Sequence, residues 1–292
     1  MIIKNKNGEL TTQQIVMLII LITSFAVILF LLFRLNLGKT TDRELCYNSV
    51  VMKGNSALPG DTIPLNCRTS YLCITKDGSC EKMTKPEIKK VENENDVYEA
   101  LADEMADCWW MFGEGKVNYV EKELLSSLYC SICSQIAFDD SVQEIIGKEI
   151  DEKDFYNYLA DEKISGKDIS YSEYLLGIRE FKDIEESLSK KNINFGKINL
   201  DNQQYIVMGI TSEISTLKWI GVGTVGGLIL APFLGVGTVV GAIIVVAGGV
   251  GGNFVGMTVE GLSGNDYLSP SIIEVNSDEF KSLDCKSVTT LA

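Results

Sequence analysis

Residues 219–259 read WIGVGTVGGLILAPFLGVGTVVGAIIVVAGGVGGNFVGMTV, which is 41 residues without a charged side chain. Within this stretch Gly-Val-Gly recurs at 221–223, 235–237 and 249–251. The period of 14 residues brings equivalent positions back to nearly the same face of a helix, because it equals four turns of about 3.5 residues. The repeat therefore favours an apolar unit that packs against itself.

Many glycines are hard to sustain in a helix surrounded by water, because each costs about 1 kcal/mol relative to alanine. In lipid the chain must satisfy its own backbone groups, which favours helix, and rows of small residues let helices approach closely. We therefore predict that 219–259 is a glycine-zipper helical hairpin that enters a membrane from outside, returns, and self-associates. A buried centre of a soluble domain and a β arrangement are the alternatives. The predicted packing positions are Gly223, Gly227, Gly235, Gly237, Gly241, Gly248, Gly252 and Gly256.

A second apolar stretch, Ile15–Phe33, is 19 residues long and uncharged. At about 1.5 Å per residue it nearly spans a hydrocarbon core of about 30 Å. A cleaved secretory signal has a shorter apolar core followed by small residues, whereas this stretch leads into Arg34. We predict an uncleaved transmembrane helix at 15–33, with residues 1–14 as a cytoplasmic leader.

All eight cysteines follow this helix. An even number of cysteines on one side of an anchor is typical of disulfides in an oxidising compartment. We therefore predict that the bulk of the chain is extracytoplasmic and held at the cell membrane. A hairpin at 219–259 keeps the tail 260–292 on that same side. The predicted disulfide cysteines are Cys46, Cys67, Cys73, Cys80, Cys108, Cys130, Cys133 and Cys285.

Cys130 and Cys133 form a CxxC motif, which is compatible with three kinds of chemistry. It could be a redox-active pair, half of a zinc site completed by other cysteines, or a meeting point of two structural disulfides that each use one cysteine of the motif. We favour two structural disulfides that each use one cysteine of the motif. No cofactor and no metal are expected.

The water-exposed part of the chain divides into two predicted regions. Residues 34–90 contain four of the cysteines and short β-prone runs, which indicates a Cys-rich, β-rich module. Residues 91–218 are acidic and mainly helical, with one helix that places Val97, Leu101 and Met105 on a common face. The predicted fold is therefore α+β, with a single N-terminal transmembrane helix, a disulfide-stapled ectodomain and a glycine-rich helical hairpin.

The leader sequence KNGELTTQQ, Lys6–Gln14, runs directly into the apolar helix. It resembles the class III signal segment of type IV pilin-like proteins. The resemblance implies cleavage between Gly8 and Glu9 by a prepilin peptidase, with the helix forming a filament core. An ordinary anchor behind a polar leader is the competing interpretation. The Lys-, Asn- and Ile-rich composition also resembles that of membrane proteins from small-genome archaea.

Composition excludes several classes of function. The chain has 26 Lys+Arg and 40 Asp+Glu, a net charge of −14, which argues against a nucleic-acid partner. It has no histidine, which removes the Ser-His-Asp and Cys-His nucleophile systems, and we expect no enzymatic activity. We predict a structural or membrane-active protein whose partners are a lipid bilayer and copies of itself. The alternatives are a pilin-like filament subunit and a soluble partner-binding ectodomain in which the hydrophobic segment is buried.

Overall fold

The computed structural model describes residues 12–34, 37–56, 63–120, 128–178, 181–182, 185–186, 195–211, 231–234, 240–247, 253–260, 262–263, 265–283 and 285–287. Contacts divide the chain into two units, Met1–Asp42 and Arg43–Ala292.

The first unit contains helix α1, Thr12–Arg34. Its window Gln13–Phe30 has a mean hydropathy of 2.4, and none of it is buried. The hydroxyls of Thr23 and Ser24 donate to carbonyls one turn earlier, so the helix satisfies its own polar side chains. Among the described residues this is the helix whose length and composition suffice to cross a membrane. The prediction of one apolar N-terminal helix is confirmed.

The remaining elements mix helix and sheet, which confirms the α+β class. The helices are α2 (Leu37–Asn55), α3 (Glu94–Met111), α4 (Gln143–Ile146), α5 (Glu152–Asp161), α6 (Tyr171–Leu176) and α7 (Asp278–Ser282). The strands are β1 (Ser70–Thr75), β2 (Glu87–Lys90), β3 (Tyr129–Phe138), β4 (Glu149–Asp151), β5 (Lys197–Asn199), β6 (Gln204–Thr211), β7 (Ala231–Leu234), β8 (Val240–Ala247), β9 (Asn253–Glu260), β10 (Asp266–Glu274) and β11 (Lys286–Ser287).

One large sheet organises the second unit. The described strands follow the order β2-β1-β3-β6-β10-β9-β8-β7, and β11 pairs with the beginning of β3. Strands β2, β1 and β3 are parallel, whereas every neighbouring pair from β3 to β7 is antiparallel. The parallel part needs a crossover, and α3 supplies it between β2 and β3.

Helix α3 provides much of the core on one face of this sheet. Asn93 caps its N-terminus by accepting from the backbone N–H of Asp96, and the Asp96 carboxylate accepts from the Asn93 N–H in return. The predicted apolar face is confirmed, since Val97, Leu101 and Met105 are all buried in the main core cluster. A smaller cluster lies on the opposite face and includes Leu268 and Leu283.

Two predicted regions differ from the observed fold. Residues 34–90 are not a separate β-rich module, because α2 occupies 37–55 and strands β1 and β2 belong to the large sheet. Within the mainly helical region 91–218, β3 is a central strand. Its neighbour β6 covers the run YIVMGIT at 205–211, which is β-prone and predicts a strand. Short segments there carry enough β-branched and aromatic residues for tertiary pairing to override a helical pattern.

The helical hairpin predicted for 219–259 is wrong for the described residues, which form strands β7, β8 and β9. The 14-residue period has an even length, so it also returns equivalent positions to the same face of a strand. The period therefore did not discriminate between helix and sheet. Valine and isoleucine favour strands, and antiparallel partners satisfy the backbone groups that the prediction assigned to a helix.

The eight cysteines lie at disulfide distance in four pairs, which confirms the predicted disulfides: Cys46–Cys67, Cys73–Cys80, Cys108–Cys133 and Cys130–Cys285. Their Cα atoms are 4.3 to 6.3 Å apart. The two cysteines of the CxxC motif belong to different pairs, as the structural interpretation requires.

The position of the CxxC motif in β3 explains this pairing. Residues three apart on a strand point to opposite faces of the sheet, and the pairing with β6 skips a residue between Ile132 and Ser134. Cys133 lies in the main core cluster with Cys108 of α3, whereas Cys130 lies in the opposite cluster. Each disulfide therefore ties one covering layer to the same strand.

The four disulfides should contribute unequally to stability, because the entropy lost by the unfolded chain grows with the length of the loop that is closed. The Cys130–Cys285 pair spans 155 residues and the Cys73–Cys80 pair spans 7. We expect Cys130→Ala/Cys285→Ala to lower the free energy of unfolding by about 5 kcal/mol and Cys73→Ala/Cys80→Ala by about 2 kcal/mol. Urea unfolding measures both values, and equal losses would contradict the loop-length account.

Glu152 is a buried carboxyl group at the start of α5. Its backbone N–H donates to the Gly196 carbonyl at 3.2 Å, and the Gly196 N–H donates to Glu152 Oε2 at 3.1 Å. Burial raises the pKa of Glu152 to about 8, the Gly196 hydrogen bond opposes the rise, and the neighbouring Asp151 adds to it. The protonated form is thus favoured in the folded protein near neutral pH.

This raised pKa should make stability depend on pH. The contribution of Glu152 is fully present below its ordinary pKa of 4.5 and is lost as pH rises through about 8. A pKa shift of this size corresponds to a change of up to about 5 kcal/mol in the free energy of unfolding. In Glu152→Gln, which retains an acceptor for Gly196, the loss between pH 5 and pH 9 should be smaller than in the parent. Urea unfolding at both pH values tests this, and parallel profiles would refute it.

Candidate functional site: the uncharged β segment and the α3 cleft

Strands β7 and β8 and residues 253–259 of β9, which we call the uncharged β segment, extend the large sheet at one end. β8 pairs with β9 along its full length, from Gly241 opposite Val259 to Ala247 opposite Asn253. β7 pairs with the first half of β8, from Ala231 opposite Ile243 to Leu234 opposite Val240. The segment is therefore an antiparallel extension of the domain.

The segment joins the rest of the sheet through a short contact. β9 pairs with β10 only from Glu260 opposite Asp266 to Thr258 opposite Leu268. β10 continues past this point alongside β6. Residues 253–257 of β9 lie outside its described pairing with β10.

The sequence of the segment gives neither face a polar character. A half-exposed antiparallel strand normally alternates apolar and polar residues. In β8 (VGAIIVVA) both alternating sets are apolar, and in β9 (NFVGMTVE) the first charged residue is the last one, Glu260. This pattern is typical of a sheet with apolar surroundings on both faces.

Two of the glycines predicted to pack helices lie in this segment. Gly241 is in β8 opposite Val259, and Gly256 is in β9 opposite Ile244, so neither belongs to a row on a helix. The other predicted positions and the predicted processing site lie outside the described residues: Gly223, Gly227, Gly235, Gly237, Gly248, Gly252, Gly8 and Glu9.

The second candidate is a cleft of about 400 Å³ beside α3, which we call the α3 cleft. Arg43 of α2 lies at 3.0 Å from Glu104 Oε1 and also pairs with Asp107. The Ser70 hydroxyl donates to Glu104 Oε2 at 3.3 Å. Lys89 and Asp103 lie across the cleft with 4.0 Å between Nζ and Oδ2.

Glu104 is the buried group of this cleft, and it was not among the residues predicted from the sequence. Burial raises the pKa of Glu104, and the Arg43 guanidinium opposes the rise. The available signal was its spacing, since Glu104 lies three residues after Leu101 and four before Cys108 on the buried side of α3. A carboxylate at such a position needs a cationic partner.

The buried Glu104 carboxylate of the α3 cleft is paired with the Arg43 guanidinium. Among the described residues no group of three or more acidic or cysteine side chains is arranged to hold a metal ion. The cleft connects α2 to α3, and the adjacent rings of Tyr47 and Trp110 stack at 4.6 Å in the same contact.

No protein-family model, curated protein or solved structure matches the chain.

Removing Arg43 should show how much its ion pair with Glu104 contributes to the free energy of unfolding. Arg43→Met leaves the buried Glu104 without its cation, and we expect a loss of about 1–3 kcal/mol because the pair is partly exposed to solvent. Because burial raises the pKa of Glu104, the loss should grow as pH rises and more of this carboxyl group ionises. In Arg43→Met/Glu104→Gln much of the loss should be recovered. Urea unfolding of the single and double variants forms the cycle, and strictly additive losses would contradict the pairing.

Proposed function

We propose that this protein is a membrane-anchored, extracytoplasmic assembly protein that presents its uncharged β segment to the lipid bilayer. Helix α1 holds the chain in the membrane, the disulfides brace the sheet domain, and the segment contacts lipid and brings copies together. The proposal depends on two features found in one chain. The apolar side chains of helix α1 are exposed, and the uncharged β segment has no polar face.

The anchor is supported by the exposure of α1. Apolar side chains all around the helix are exposed, including Met17 and Leu21 at 70% each. A helix of this kind in a soluble protein would bury one face against a core. Lipid surrounds a helix on all sides, so uniform exposure of apolar side chains favours a membrane position.

The extracytoplasmic side is supported by the cysteines. All eight follow α1 and all are paired, and Cys285 near the C-terminus joins Cys130 in the central strand. Disulfides persist in oxidising compartments and are rare in the cytosol. The domain therefore belongs outside, with the residues before α1 in the cytoplasm.

Membrane contact by the β segment is supported by its composition and its tether. Both alternating sets of β8 are apolar, and β9 is uncharged before Glu260, with Asn253 and Thr258 as its polar residues. Transfer of apolar surface from water is favourable by about 25 cal/mol per Å². An anchor in the same chain keeps the domain near the bilayer. Lipid supplies no hydrogen bonds to a strand edge, so stable contact also requires that edges pair.

Photocrosslinking of the full-length chain in proteoliposomes tests lipid contact. A benzophenone amino acid replacing Val245 in β8 should form adducts with phospholipid acyl chains, detected by radiolabelled lipid. The same group at Leu21 in α1 should also form them, whereas at Tyr71 on β1, which is 51% exposed, it should not.

The three positions separate the parts of the proposal. Lipid adducts at Leu21 without adducts at Val245 would refute membrane contact by the β segment and leave the anchor intact. The absence of adducts at Leu21 would refute the anchor itself.

A further inference from the structure

The part of the chain that follows β10 lies on the face of the large sheet opposite α3. Residues 277–283 and 285–287, which we call the C-terminal strap, contain α7 and β11. Leu283 is fully buried in the smaller core cluster on this face. The centroid of the Phe280 ring lies 5.4 Å from that of the Tyr205 ring on β6. The strap therefore covers apolar residues of the sheet.

The C-terminal strap also reaches the uncharged β segment, because α7 contacts β8 as well as β10. The strand register identifies the face. Leu268 of the smaller core cluster lies opposite Thr258 of β9, which lies opposite Ala242 of β8. Paired residues share a face, and alternate residues of a strand return to it. Position 244 of β8 therefore belongs to the face on which the strap lies, which we call the strap face, and position 245 belongs to the face of α3.

The described non-covalent contacts of the strap are short. Helix α7 has five residues, too few to be stable by itself. β11 pairs with β3 at two positions, and the Lys286 N–H donates to the Leu128 carbonyl at 2.9 Å. The covalent tie is the disulfide between Cys285 and Cys130 of β3. The closed position of the strap therefore depends strongly on this bond.

The disulfide of the strap is also accessible to a reductant. Cys285 is partly exposed, whereas all four cysteines of Cys46–Cys67 and Cys108–Cys133 are buried. An attacking thiolate must reach a sulfur atom of the bond that it cleaves. The remaining pair, Cys73–Cys80, also has one partly exposed cysteine, but it closes a turn of only 7 residues after β1 and does not hold the strap.

We propose that the Cys130–Cys285 disulfide is a redox switch that controls how much of the uncharged β segment meets lipid. While the bond is intact, the C-terminal strap covers part of the strap face. Reduction frees the strap and opens this face to the bilayer, and reoxidation closes it again. The inference rests on the proposed function, because membrane contact by the segment is the property that the strap limits.

The reductant required is a thiol, acting in two steps of thiol–disulfide exchange. The thiolate attacks the sulfur of Cys285, a mixed disulfide forms, and Cys130 leaves as a thiolate that takes up a proton. A second thiolate attacks the sulfur of the reductant in the mixed disulfide and releases Cys285. Two thiols are thus oxidised to one disulfide while Cys130 and Cys285 are reduced.

Photocrosslinking under increasing dithiothreitol tests the switch in full-length protein reconstituted in proteoliposomes. A benzophenone amino acid replaces Ile244 on the strap face, and differential alkylation identifies which cysteines are reduced. When Cys130 and Cys285 are reduced and the other three pairs are intact, phospholipid adducts from position 244 should rise about threefold or more, because the freed strap no longer covers this face. Adducts from position 245, on the opposite face, should change by less than about 1.5-fold.

Two variants provide a permanently open state and a matched control. Cys130→Ala/Cys285→Ala should give the high level of adducts from position 244 without dithiothreitol. Cys73→Ala/Cys80→Ala, which removes the other partly exposed pair, should behave as the parent does. Hydrogen exchange should show loss of protection at residues 279–283 after reduction, while β6 keeps its protection because the domain stays folded.

Unchanged adducts from position 244 after selective reduction of Cys130 and Cys285, or retained protection of residues 279–283, would overturn the switch. So would reduction of another pair before this one. Adducts from position 245 together with any of these results would leave the proposed membrane contact standing. Release of the strap without lipid adducts at either position would instead refute that membrane contact.

Discussion

Strand β3 is the constraint on which the rest of the domain depends. It lies between the parallel and antiparallel parts of the sheet, and its irregular pairing with β6 lets Cys130 and Cys133 serve opposite faces. One disulfide attaches α3, and through it the main core, while the other attaches the C-terminal segment. Covalent ties on both sides of β3 hold a covering layer against each face of the sheet. The uncharged β segment is then supported by β10, which pairs with β6, the antiparallel neighbour of β3.

The sequence predicts those parts of the fold in which one pattern has one structural solution. The apolar run of α1 and the buried face of α3 belong to this kind. The CxxC motif was compatible with three kinds of chemistry, and its two cysteines belong to different disulfides. The pairing of Cys130 with Cys285 could not be predicted, because eight cysteines allow 105 connectivities and the contact joins residues 155 positions apart. The β segment was predicted as helix because glycine repeats of even length are compatible with both helix and strand. The choice between helix and strand depends on tertiary structure, because β9 pairs with strand β10, which follows Glu260 in the chain.

The candidate site was only partly visible in the sequence for a related reason. An uncharged stretch is obvious in composition, but its place at the end of the large sheet follows only from the pairing of β9 with β10. The ion pair of Arg43 and Glu104 also depends on tertiary structure, since it joins residues 61 positions apart. The stacked rings of Tyr47 and Trp110 lie in the same contact. Helix α2 is therefore held to α3 by both polar and aromatic contacts.

The long disulfide between Cys130 and Cys285 has a consequence for how the domain can change shape. It closes a covalent ring of the chain that includes strands β4 to β10 and therefore the whole uncharged β segment. Strands inside such a ring can shift their pairing, yet neither end of the loop can drift away from β3. A protease that cut once within the ring would leave both products joined until a reductant released them. The uncharged β segment can therefore expose apolar surface while its chain stays covalently attached to the rest of the domain.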